Sequence, residues 1–484
     1  MTLTGRAVLF RTLLAAACCA WLAPAPAAQT RQPFERKGDF VFDAEERVLA
    51  HKLTGDHRLV LVGRKAARAL DFAAAKLDEP RPLALHDLDK RDKLLISPTG
   101  LRLLVVPSKS SRPAAVWDLG AGKLLATLKT SRPVRAGVWS EDGSTLVTSS
   151  NEYAPFTVGS TSVEVAFWDA GTLARLSTLP SDKVGWWHLT TDGRKCFFSI
   201  GEGKNYLLLK YIRGPGTEIG VWDVRAGRVE QTVRAGGDDV IRAAYVSPGE
   251  KYLAFLARAP RSKEVEGRLA VFEIDKTASR YELKPMYDVR PVQQPPQVGA
   301  TFSPGAKYFA VDAGKMVRIY ESAGGEKRLE TTEIESPNGW LNDETFLRHY
   351  GGLMKAYDTA TGKLLYEQKQ VYDEYEYTES SSYSNEVYIP GSTFVVVNDR
   401  THIRVHPSGR MFLTYSNQYV KVFDARTGEL LQELVSPPMD YTKKKPRLSD
   451  KTLVSEAGWS YDGRTLYVVG ADGMTASLWW LLDS

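Results

Sequence analysis

An all-β architecture, a single β-propeller of four-stranded antiparallel blades, is predicted by a recurring turn, a recurring aromatic-acid ending and the distance between them. The turns are SPTG (97–100), SEDG (140–143), TTDG (190–193), SPGE (247–250), SPGA (303–306), HPSG (406–409) and SYDG (460–463). A hydrophobic run follows each, and then a segment closing on an aromatic and an acid, as in VWDLGAG from Val116, VWDVRAG from Val221 and VFDARTG from Val422. The unit returns about every 50 residues, the period of propeller blades.

Within VRAGVWSEDGSTLVTSS (Val134 to Ser150), an alternating apolar strand meets a Ser/Asp/Gly turn and leaves as a second strand of β-branched character. The turn glycine accepts a positive φ without steric cost, and the Asp or Ser side chain bonds the turn's own backbone. A third strand ends at the aromatic-acid pair, as in VEVAFWDAG, and a second turn leads into a fourth, as in KLLATL (Lys123 to Leu128). Two packed sheets would not keep so constant a period, whereas radial blades around a channel do.

Unit ends fall at Asp71, Asp118, Asp169, Asp223, Glu273, Glu321, Asp358, Asp424 and Trp480. Closed rings usually hold four to eight blades. The unit ending at Asp71 has only the weak turn GDHR (55–58), and the one ending at Asp358 carries NDET in place of a glycine turn. Eight blades are therefore preferred, with seven and nine left open. The last unit stops after a third strand at Trp479 and Trp480. Its outer strand is assigned to the N-terminal segment DFVF (Asp39 to Phe42), which closes the ring and removes its free edges.

With VWDxxxGKLL (Val116 to Leu125) and SPTGLRLLVV (Ser97 to Val106), residues 40–484 resemble WD40 repeats and related quinoprotein-like propellers. The pairs Trp117-Asp118, Trp168-Asp169 and Trp222-Asp223 keep the WD signature; later units replace it, and the Gly-His dipeptide of WD40 repeats is missing. The resemblance implies a divergent, exported bacterial propeller. In such a fold Trp117, Trp168 and Trp222 pack between blades and the paired acids anchor turns.

Arg6 and Arg11 precede the apolar stretch TLLAAACCAWLA, and Ala25 and Ala27 supply the small residues of a cleavage site, so residues 1–27 read as a removed secretory signal. Residues 28–38 read as a linker and 39–484 as the propeller. No apolar run reaches the roughly 20 residues of a membrane helix. Lipidation at Cys18 or Cys19 is less favoured, because only Thr12 to Ala17 would then form the apolar core. The expected location is exported: periplasmic, envelope-associated or extracellular. Removing the signal leaves Cys196 alone, so packing and not a disulfide must stabilise the mature chain. The formal charge of +5 falls to +3 without Arg6 and Arg11, too little and too dispersed to suggest nucleic acid.

From turn glycine to the acid of the same unit, four spacings are 15 to 18 residues, but Gly143 to Asp169, Gly193 to Asp223 and Gly249 to Glu273 take 26, 30 and 24. From the acid to the next turn glycine, Asp424 to Gly463 takes 39 and Asp358 to Gly409 takes 51. Both kinds of connection leave an antiparallel blade on the same face, which marks that face for binding. Its candidate contact residues are Tyr153, Phe156, Tyr206, Arg213, Tyr372, Tyr375, Tyr377, Lys443, Lys444 and Lys445. Tyrosines give amphipathic contact area at low entropic cost, and the loop Val371 to Tyr388 adds acids where Ser436 to Lys451 is basic. Such charged loops also serve as ordinary solvated surface.

Catalytic motifs are not found. GWSYDG (458–463) misses the nucleophile elbow and falls on a repeat turn, GEGK (201–204) is an incomplete phosphate loop, and haem and zinc spacings are missing. His402 and His406 lie too far apart on a strand to share a metal. His188, on a predicted inner strand, is either a satisfied structural residue or a channel group. Asp312, Asp343 and Glu344 form no evident pair. Neither metal nor cofactor is expected. The sequence thus points to an interaction scaffold binding a protein or peptide, with a propeller enzyme (lyase, lactonase or metal-dependent hydrolase) using the central channel as the alternative.

Overall fold

A computed structural model describes residues 33–42, 47–85, 87–150, 164–179, 184–200, 217–234, 240–258, 266–277, 281–293, 300–312, 317–331, 339–350, 353–369, 394–396, 402–415, 419–435, 439–440, 447–448, 454–470 and 473–482. Among them are nine radial antiparallel sheets and no α-helix, only the 3-10 turn Pro248–Glu250. No helix among the described residues is long and apolar enough to cross a membrane. Blades 1 to 8 occupy residues 50–82, 93–127, 136–178, 184–234, 240–293, 300–331, 339–369 and 394–435 in turn, and blade 9 combines 454–481 with 34–41.

Both irregular units survive as blades, so nine is the count. In blade 1 the turn closes with His57 N–H donating to Thr54 O at 3.1 Å, and His57 itself takes the left-handed seat at φ 59 that glycine fills elsewhere. In blade 7 the side chain of Asn342 accepts from Glu344 N–H at 3.0 Å, which shapes a turn without glycine. Blade 8 gains a fifth strand, Phe394–Val396, inside its first.

The second and third strands of most blades are buried on both faces, as in Arg102–Val106 and Thr145–Ser149, because each face meets a neighbouring blade. Fourth strands such as Arg228–Arg234 stay mostly exposed. Nine hydrophobic clusters occur among the described residues, one at each junction between successive blades. The ninth joins Leu59, Leu61 and Leu70 of blade 1 to Val469, Ala476 and Leu478 of blade 9, so the ring is closed. Full burial of each such side chain contributes about 1.5–3 kcal/mol, distributed around the whole circle.

The N-terminal strand that completes blade 9 is Phe34–Val41, paired with Thr475–Leu481 from Phe34↔Leu481 to Val41↔Thr475. It begins five residues ahead of the assigned Asp39, within the segment read as a linker, because Phe34 has a buried seat against Trp459 at 5.5 Å between ring centroids. Trp168 and Trp222 pack at the junctions and donate their indole N–H groups to Thr148 Oγ1 at 2.9 Å and Ser177 Oγ at 3.2 Å. The paired acids cap the turns they precede: Asp118 accepts from Ala121 N–H at 2.8 Å, and Asp424 from Thr427 N–H at 2.8 Å.

Candidate binding faces and channel wall

The face carrying the tight first-to-second-strand turns is locked turn against turn. Gly463 of blade 9 sits so close to blade 8 that a Cβ would lie 2.3 Å from His406 Nε2, and the same histidine bonds Gly463 O at 2.9 Å. Cβ atoms at Gly143 and Gly193 would likewise meet Thr99 and Thr145 of the preceding blades at 2.9 and 2.5 Å. Blade 5 replaces this glycine by Glu250 at φ 55. Its buried carboxylate accepts from the Thr191 backbone N–H of blade 4 and from Lys276 Nζ at 3.1 Å. Tyr281 on the same hairpin donates to Asp192 Oδ2 at 2.7 Å. A left-handed non-glycine residue costs about 1–2 kcal/mol, and here its carboxylate latches two blades.

His188 belongs to this latch and not to an open channel. It stacks on Phe197 at 6.3 Å, its Nε2 lies 4.0 Å from Glu250 Oε1, and burial lowers its pKa to about 4. It is a neutral, packed imidazole. His402 and His406 have separate partners: His402 stacks on Tyr415 at 4.7 Å, and His406 Nδ1 meets Ser408 Oγ at 2.7 Å. Asp343 accepts from Gly305 N–H at 2.9 Å and so belongs to a turn contact. Among the described residues no three His, Cys, Asp or Glu side chains are placed to hold one metal ion.

The opposite face carries the connections from second to third and from fourth to next first strands. Tyr153, Phe156, Tyr206, Arg213, Tyr372, Tyr375, Tyr377, Lys443, Lys444 and Lys445 all lie outside the described residues. Flanking the three lysines, Met439–Asp440 and Arg447–Leu448 pair as a short antiparallel ribbon. Over blades 2 and 3 three connectors are described and knit together. Asp92, its side chain 1% exposed, accepts from Ser108 N–H at 2.8 Å, Asp89 N–H at 3.0 Å and Arg112 Nη1 at 2.9 Å. Burial alone would raise the Asp92 pKa, but these donors hold it below the usual carboxylate value. Arg135 Nη1 donates to Ser108 O at 2.8 Å and ties in the third connector.

First strands of successive blades adjoin around the axis, in the pairs 1 and 2, 2 and 3, 4 and 5, 5 and 6, and 8 and 9. On this inner wall, blades 8, 9 and 1 bring His402, Arg404, Tyr415, Glu456, Tyr467 and His51 together. Glu456 accepts from Tyr467 Oη at 3.0 Å, contacts His51 Nε2, and lies 4.0 Å from Arg404 Nη2, which in turn donates to Tyr415 Oη at 3.2 Å. Burial opposes the Glu456 charge, yet the hydrogen bond from His51 and the charges of His51 and Arg404 outweigh it and hold the pKa at about 2. A carboxylate only accepts, so His51 Nε2 carries its proton. Tyr467 reaches Glu456 by crossing residue 458, where a Cβ would lie 2.7 Å from its hydroxyl, so only glycine fits. The side chain of Glu456 is 29% exposed and that of His51 18%, which leaves a fixed, charged wall open to a polar ligand. Sequence reasoning passed over this cluster, although charged residues two to four positions before a turn were its signal.

No family model and no curated protein matches the chain. Among solved structures it is similar to one described as the crystal structure of the eukaryotic initiation factor, 11% identical, covering 82% of this chain and 89% of that one with a TM-score of 0.51. Kuenenia stuttgartiensis hydrazine synthase matches at 13% identity over 68% of this chain and 97% of that one, with a TM-score of 0.34. At these identities the first similarity is one of fold.

Proposed function

We propose that this chain is an exported interaction scaffold, a rigid disc that presents one face to a protein or peptide. The observation that carries the reading is the asymmetry of the faces. One is closed by turn-to-turn contacts such as Gly463 with His406, and the connections longest in sequence leave from and return to strand ends on the other. A ring whose stability is spread over nine junctions tolerates such elaboration, since a connector can change without reaching the core. Export rests on the character of residues 1–27, and the divergent WD40-like repeat makes protein recognition the natural use of the face.

The test is co-purification of residues 28–484 from envelope extract, beside a variant lacking Tyr372 to Tyr388 and one with Lys443, Lys444 and Lys445 reversed to Glu. A partner held by the intact chain and lost from the variants supports the reading; capture unchanged in both refutes the face. A second reading, a small polar ligand or substrate in the channel, is favoured by one observation, the fixed His51–Glu456–Arg404 wall. Ligand-dependent stabilisation that vanishes in Glu456→Gln would shift the assignment to it.

A further inference from the structure

The geometry points to a docking surface for an acidic segment of a partner protein, formed by Lys90, Arg91, Lys93, Lys109, Lys129 and Arg132 over blades 2 and 3. The inference rests on the scaffold reading and names the partner's chemistry. Residues 87–93, 107–113 and 128–135 carry eight Lys or Arg against three Asp. Two of those acids are turned to internal use: Asp92 is buried beneath Ser108 and Arg112, and Asp89 lies 3.3 Å from Lys109, whose side chain remains 68% exposed. Lys90, Arg91, Lys93, Lys129 and Arg132 are all exposed. A positive surface therefore stands on connectors already fixed by Asp92 and by Arg135 to Ser108, which lowers the ordering cost of binding.

The same loops display how they take a carboxylate. Glu164 accepts from Arg132 N–H at 3.1 Å, from Ser131 Oγ at 2.5 Å and from Arg175 Nη2 at 2.5 Å. Lys129-Thr130-Ser131-Arg132-Pro133, which holds it, is nearly repeated twenty residues earlier as Lys109-Ser110-Ser111-Arg112-Pro113, with both serines exposed. Hydroxyls, backbone N–H groups and cations at this spacing suit Asp and Glu side chains. None of the exposed large hydrophobic residues falls in these three segments. These three segments thus offer no apolar wedge for a bilayer and no ring on which a base stacks, and an acidic peptide is the fitting ligand.

Binding of a fluorescent Glu/Asp-rich peptide to residues 28–484 tests the proposal, against an uncharged Gln/Asn peptide, phosphatidylserine vesicles and an oligothymidylate. The acidic peptide is expected to bind with an affinity that falls steeply with salt. The variant K90E/R91E/R132E should lose at least about tenfold of it, while K123E/K327E/K363E, on outer strands or the turn leading into one, should not. Both variants should unfold at the wild-type midpoint, and a shifted midpoint would be resolved by the neutral variant K90Q/R91Q/R132Q, expected to lose affinity in the same direction. Undiminished binding by the charge-reversed and neutral variants, or equal or tighter binding of vesicles or oligothymidylate, overturns the proposal. Partner capture that persists in K90E/R91E/R132E would sink this surface while leaving the scaffold reading intact, whereas absence of any captured partner would sink both.

Discussion

Gln432 clasps Phe34 across 398 residues of sequence: its Oε1 accepts from the Phe34 N–H at 2.9 Å, and its Nε2 donates to the Phe34 carbonyl at 3.0 Å. Both bonds are buried, and together they fix the start of the strand that completes blade 9. Truncation to Gln432→Ala leaves two backbone groups of Phe34 without their partner and is expected to cost about 2–4 kcal/mol. Urea unfolding measures this. If the ring closes independently of the clasp, the variant will unfold at the wild-type midpoint.

Two glycines separate backbone strain from crowding. Gly463 and Gly249 share a left-handed backbone, at φ +72 and +68, but a Cβ at Gly463 meets His406 Nε2 at 2.3 Å whereas one at Gly249 meets nothing within 4 Å. Alanine at either pays about 1 kcal/mol of backbone strain. His406 cannot easily yield, because it is held by Ser408 and packs edge-on against Trp459 at 4.9 Å. Gly463→Ala is therefore expected to be more destabilising than Gly249→Ala by about 1–3 kcal/mol, measured as the difference in urea midpoints. Equal midpoints would refute the turn-to-turn lock.

What could be read from the sequence was local. The Ser/Asp/Gly turns and the acids that cap the fourth-strand turns, Asp118 and Asp424 among them, involve partners within a few residues, and their chemistry is written in the motif. Blade number was harder, because His57 and Asn342 build the same turn by other means. The channel cluster was least legible: His51 and Glu456 are 405 residues apart, and neither belongs to a motif. The basic surface was missed for a related reason, its charges being divided among three short connectors. Lys443 to Lys445, being contiguous, drew attention instead.

Lys195 offers a test of how blade 4 tolerates charge. Only 2% exposed, it reaches Asp223 Oδ2 at 2.6 Å and Glu230 Oε2 at 2.8 Å. Removing it in Lys195→Met leaves two carboxylates facing each other at a mostly buried site, and a loss of about 3 kcal/mol is expected. Because the cost lies in the uncompensated acids, adding Asp223→Asn and Glu230→Gln should restore most of it. A triple variant no more stable than Lys195→Met would show that the loss does not come from the uncompensated acids.

Acid should weaken the ring in two successive windows. For His188 the folded pKa, about 4, lies below its ordinary 6.5 because burial disfavours the imidazolium. Above pH 6.5 neither state takes the proton and stability is full. As pH falls from 6.5 to 4 the unfolded chain alone binds it, and up to about 3 kcal/mol is lost. Glu456 follows lower: with a folded value of about 2 against 4.5, its contribution is present above pH 4.5 and disappears as pH falls toward 2. Urea midpoints from pH 7 to 3 should therefore decline from about 6.5 in the wild type. In His188→Phe the decline should be shallower between 6.5 and 4, and Glu456→Gln should start lower at neutral pH but flatten below 4.5. Three parallel curves would mean that neither group is held as the structure has it, and would place the acid sensitivity elsewhere in the ring.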